Sequence, residues 1–160
     1  MDVATHAMTG MLIGSAVALR KGRLYPLLLT GAAASAIPDL DAFIRIAGSD
    51  YFFKYHRVFT HTIFAAPLLA ALASLPAWIW EKKGYLLIYL LAFAVLLVHL
   101  GMDVLCMWPI RLFYPLGNKD YALNLFNNKD TSMIVLFIVT IATLGMLYYH
   151  NWMEAKGEKG

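Results

Sequence analysis

Charge is scarce in this chain. Asp, Glu, Lys and Arg make up 14% of its 160 residues, where a soluble domain carries about a quarter. The formal net charge is only +3, and the basic residues sit in short clusters between apolar runs. That distribution excludes a nucleic-acid-binding face and reads as a topology signal. The single cysteine, Cys106, excludes an internal disulfide framework, and it reads as apolar filler. No low-complexity tract is present. No basic leader precedes the first apolar run, which follows Asp2, so that run is expected to be a retained helix rather than a cleaved signal peptide.

What is plentiful is hydrocarbon: 61% of residues are hydrophobic and the mean hydropathy is +0.63. Five apolar stretches can be drawn, at Val3 to Leu19, Leu24 to Ile37, Thr60 to Trp80, Tyr85 to Trp108 and Ser132 to His150. A spanning helix needs about 20 residues, so the second stretch is a marginal span or a re-entrant helix. Residues 1–160 are expected to form one all-α domain, a polytopic membrane bundle of four to five transmembrane helices. The short connections at Arg20 to Arg23, Glu81 to Gly84 and Met153 to Gly160 are rich in Lys and Arg. The longer ones at 39–59 and 109–131 hold most of the Asp. The positive-inside rule then places the N-terminus and both long loops outside and the C-terminus inside the plasma (inner) membrane. Trp78, Trp80, Tyr85, Trp108 and Tyr114 fall near helix ends as an aromatic belt would. Gly10 and Gly14, four apart, suggest a close-packing helix face.

On that topology the ionisable residues converge. His6 lies at the outer end of the first helix, Asp39 and Asp41 just past the outer end of the second, His56 and His61 at the start of the third, and His99 and Asp103 near the outer end of the fourth. Four of the five histidines share this side; His150 does not. Imidazole and carboxylate are the usual donors to zinc and related divalent ions. His99 and Asp103, four apart, share a helix face inside an apolar run, where ionisable groups are expensive and mark function. Asp39 and Asp41, if extended, point the same way, so that one could bridge two ions. His56 is expected on a loop and His61 on the helix. Seven candidate donors suffice for one to two divalent ions, zinc first and manganese or magnesium as alternatives.

These motifs resemble the signatures of the YdjM-like family of bacterial and archaeal inner-membrane proteins, described as metal-dependent hydrolases. The matching residues are Thr5-His6-Ala7-Met8-Thr9-Gly10, Pro38-Asp39-Leu40-Asp41, His56-Arg57-Val58-Phe59-Thr60-His61 and His99-Leu100-Gly101-Met102-Asp103. The resemblance covers roughly residues 1–118 and is specific only in combination. Cys106 stands where the family tends to have Thr, and Pro109 where it tends to have Gly. A more distant similarity, through the helical His-x-x-x-Asp of His99 and Asp103, is to zinc-dependent phospholipase C and the single-strand-specific zinc nucleases. Their N-terminal Trp and further His and Glu ligands have no counterpart here, which implies a reduced site. The chemistry implied by analogy is phosphoester hydrolysis. A site at the outer interface suits a phospholipid or other lipid phosphate as substrate. Asp39 is then the expected proton acceptor or bridging ligand, and Arg57 the group that neutralises phosphate charge. The alternative is a metal-ion or proton-coupled transporter, or a metal-binding membrane protein without hydrolytic activity.

Overall fold

The computed structural model describes residues 3–21, 23–125 and 131–157, and among these the regular structure is helical. The described residues form six α-helices: α1 (Val3–Lys21), α2 (Leu24–Ala36), α3 (Ser49–Tyr55), α4 (Ala66–Glu81), α5 (Tyr85–Leu105) and α6 (Thr131–Gly157). A 3-10 helix, Ile37–Ala47, continues directly from α2. The only pairing of extended backbone among the described residues is the isolated bridge Ile110 to Tyr121. Positions 126–130 of the second long loop and 158–160 of the basic tail lie outside the described residues.

Among the described residues, two stretches are long and apolar enough to cross a membrane, Leu24–Ala47 and Tyr85–Leu105. The marginal second segment therefore gains its length from the 3-10 helix, which brings it to 24 residues. The other predicted spans correspond to shorter apolar helices, Val3–Leu19, Ala66–Glu81 and Ile138–His150. On α4 the burial pattern puts small residues inside and large aliphatic ones outside: Ala66, Ala70, Ala73 and Ala77 are buried while Leu68, Leu72 and Ile79 face outward. Small residues let helix backbones approach, and large aliphatic ones suit a hydrocarbon surround. On α5 the buried stripe Ile88, Leu91, Ala92, Val95, Leu96 runs straight on into His99 and Asp103, so the apolar packing face itself aims these two polar groups inward.

Two local expectations are corrected. The third helix starts at Ala66, not at Thr60, with Pro67 in its first turn. Proline fits there because its missing N–H has no helical partner to lose. His61 accordingly sits in the turns ahead of α4 and not on it. Asp39 and Asp41 are not extended but lie in the 3-10 helix. At about three residues per turn, residues two apart point in different directions, so the pair cannot work as one bridging unit.

The crossing of α1 and α2 is set by glycine. A Cβ on Gly10 would lie 2.1 Å from the Gly31 carbonyl oxygen, and one on Gly31 would lie 2.0 Å from that of Gly10. This contact lets the Ser35 hydroxyl donate to the His6 carbonyl. Because the obstructing atoms are backbone, the helices have to separate to admit a methyl. We expect Gly31→Ala to destabilise the chain by about 1–3 kcal/mol, read as a lowered unfolding midpoint in detergent, with loss of metal uptake as the α1 end moves away. An unchanged midpoint would show that the crossing is soft.

Candidate metal site

The sequence-predicted site residues fall at one end of the bundle, as an inner group of four, an outer pair, and His6 and Arg57 against the inner group. The inner group is Asp39, His61, His99 and Asp103. Each offers one donor atom, and these atoms all lie within 4.8 Å of one another. Asp39 comes from the 3-10 helix, His61 from the turns ahead of α4, and the other two from α5. His61, His99 and Asp103 are fully buried; Asp39 retains 5% exposure and forms the open edge.

Three of the six pair distances within this group match a coordination shell. His61 Nε2 lies 3.2 Å from Asp39 Oδ1 and 3.3 Å from Asp103 Oδ2, and His99 Nε2 lies 3.3 Å from the same Asp103 oxygen. A tetrahedron with metal–ligand bonds of about 2.0 Å has edges of about 3.3 Å. Donor chemistry agrees. The Nδ1–H of His99 donates to the Ser35 carbonyl at 2.8 Å, which leaves the Nε2 lone pair turned inward. His99 Nε2 and Asp39 Oδ2 are buried and make no hydrogen bond among the described residues. Lone pairs therefore converge from imidazole and carboxylate on one point, an arrangement that repels itself unless a cation or a proton lies between them. The residues present fit a divalent ion.

Asp103 divides its two oxygens. Oδ1 takes His6 Nε2 and the Arg57 guanidinium, each at 3.2 Å, while Oδ2 faces the two histidines of the inner group. His6 also stacks on His99, with ring centroids 3.8 Å apart. His6 thus supports a ligand instead of joining the inner four. Arg57, buried and with φ of 64°, reaches Asp103 and the Trp108 carbonyl. Its charge is applied to Asp103.

The outer group is Asp41 and His56. Asp41 Oδ1 accepts from His56 Nδ1 at 2.6 Å, and Oδ2 accepts from the Arg57 backbone N–H at 2.9 Å and the Thr60 hydroxyl at 2.6 Å. A carboxylate so occupied holds its neighbours in orientation. Of the seven expected donors, four come within 4.8 Å of one another as one cluster among the described residues.

His61 lies ahead of α4, outside the two long apolar stretches. Its burial disfavours charge, but hydrogen bonds to Asp103, Asp39 and Asp41 outweigh this and raise its pKa to about 10.

Two contributing residues escaped the sequence reading. Ser35 acts through its backbone carbonyl, for which an Ala-rich run gives no signal. Thr60 lay within the quoted motif beside His61, and the threonine was the available signal.

The fold and site define an all-helical membrane protein with a buried His/Asp cluster able to hold a metal ion. The chain belongs to the YdjM inner membrane protein family, whose description matches residues 1–158. It is also similar to a Bacillus subtilis (strain 168) protein named "Uncharacterized protein YfhP", with 22% identity over 151 residues. That match covers 89% of this chain but 46% of the relative, so the chain spans about half the relative's length. No solved structure matches the chain.

Proposed function

We propose that the protein is a membrane-bound metal-dependent hydrolase that cleaves a phosphoester of a lipid at the outer face of the membrane. The observation that carries this reading is the inner cluster, whose four donors approach to 4.8 Å or less in a buried pocket with one edge open at Asp39. The topology that goes with it is the bundle of four to five crossings with the N-terminus outside, in which Val3–Leu19, Ala66–Glu81 and Ile138–His150 cross as shorter helices.

Catalytic zinc sites use three protein ligands and leave a position open. His61, His99 and Asp103 are the three most enclosed donors and would hold the ion, zinc by its preference for this N/O set. The four-donor cluster suits one such ion. A bound divalent ion supplies Lewis acidity and lowers the pKa of water toward neutrality. Asp39, at the open edge, accepts the proton of the attacking water through Oδ2. Arg57 and His6 hold Asp103 in place from behind. Lipid as the substrate class is supported by what adjoins Asp39: a cavity of about 320 Å³ lined by Val3, Leu40, Ala42 and Phe43. Leu40, Phe43 and Ile46, three apart on the 3-10 helix, are exposed, so the mouth is apolar and opens beside a hydrocarbon surface. An acyl chain fits such a mouth better than a free sugar or nucleotide phosphate would.

The test is hydrolysis of phospholipid vesicles by the purified full chain in detergent or nanodiscs. Release of the headgroup or phosphate is expected, abolished by a chelator and restored by zinc. Bound metal with no turnover on phospholipids or phosphomonoesters would replace this reading with a metal-stabilised membrane partner. Metal flux into proteoliposomes would replace it with a transporter.

A further inference from the structure

We propose that Thr60 and Asp41 form a tautomer lock on His61, making them positioning residues for a metal ion held by the inner cluster. The inference rests on the metal-site reading above and adds residues to it from outside the donor set.

The argument is one of proton counting. A threonine hydroxyl has a single proton to donate, and a carboxylate can only accept. Thr60 Oγ1 stands 2.6 Å from Asp41 Oδ2 and 2.9 Å from His61 Nδ1. The hydroxyl proton therefore goes to Asp41, and the hydroxyl oxygen faces Nδ1 with a lone pair. Only an Nδ1–H satisfies that contact. With the Nδ1 position protonated, the neutral ring has its lone pair on Nε2, the atom that faces Asp39 and Asp103. His99 reaches the same state by a different route, donating its Nδ1–H to the Ser35 carbonyl at 2.8 Å. Asp41 is itself fixed by His56 Nδ1 and the Arg57 N–H. His56 in turn stacks on Phe52, with centroids 4.4 Å apart. The His56 to His61 motif is thus a clamp around Asp41 that sets the direction of one ligand nitrogen. An alternative tautomer with Nε2 protonated would put a hydrogen where the ion must sit and leave Nδ1 facing a lone pair.

Thr60→Val keeps the shape and removes the hydroxyl; Thr60→Ser keeps the hydroxyl. Competition titration of the full chain with Zn²⁺ and Co²⁺ is expected to show affinity reduced about 10–100-fold for the valine variant, with the serine variant close to wild type. In the zinc-loaded wild type, ¹⁵N NMR of His61 is expected to show ligation at Nε2 and a proton on Nδ1. If Thr60→Val fails to fold, Thr60→Ala against Thr60→Ser decides on the same criterion. Wild-type affinity in the valine or alanine variant overturns the lock and leaves the metal site standing, as does a serine variant that fails equally. Failure of the wild-type chain itself to take up either ion overturns the site and the lock together.

Discussion

Replacing Asp103 by Ala is expected to abolish metal uptake, from about one ion per chain to none detectable, and to weaken the fold as well. Asp103 touches four other residues of the site. Its Oδ1 meets His6 and Arg57 at 3.2 Å, and its Oδ2 meets His61 and His99 at 3.3 Å. Removing it deletes a ligand and also leaves the Arg57 guanidinium, buried to 7% exposure, without its carboxylate. Breaking a buried charge pair by removing one partner destabilises by about 3–5 kcal/mol. Because the alanine variant risks unfolding, Asp103→Asn is the companion. It retains the shape and one acceptor oxygen but not the charge, and is expected to fold and bind metal far more weakly. Elemental analysis of purified wild type and both variants checks this. A wild-type metal content in Asp103→Asn would remove Asp103 from the ligand set.

The second large effect is expected at Asp39, with the opposite signature. Asp39 is the inner residue at the open edge, and its Oδ2 makes no hydrogen bond among the described residues. It is placed to take a proton, with three more deeply enclosed donors behind it to hold the ion. Asp39→Asn keeps the size and an acceptor oxygen but removes the basicity. Turnover is expected to fall about 10²–10⁴-fold, the usual contribution of general acid–base catalysis, with the metal content retained. Elemental analysis alongside the vesicle assay separates the outcomes. Turnover and metal lost together would make Asp39 a ligand. Turnover retained would place the base elsewhere. The contrast between the Asp103 and Asp39 variants distinguishes holding the ion from using it.

Much of this was legible in the chain before any coordinates. A helical repeat placed His99 and Asp103 on one face, and hydropathy with loop charge placed His6, Asp39 and His61 at the same end. These are local or additive properties: side-chain spacing on a helix, transfer of apolar residues out of water, the sign of nearby charge. The Gly10 and Gly14 spacing likewise pointed to a close helix crossing, and that crossing is present.

The division of labour among the site residues was not legible, because it depends on distances between segments far apart in sequence. Asp39 and Asp41 are the same residue type two positions apart, yet one faces the donor cluster and the other binds His56, Arg57 and Thr60. A 3-10 helix in place of an extended strand decides this, and Pro38 at its start does not distinguish the two on its own. That Arg57 reaches Asp103 from a left-handed backbone position was not legible either. Residue type and order along the chain determined that imidazoles and carboxylates would meet at one end of the bundle. Which of them offer lone pairs to a common point, and which only steer the others, was decided by tertiary packing. Coordination and hydrogen bonding act over about 2–3 Å, and at that range only the folded chain has a geometry.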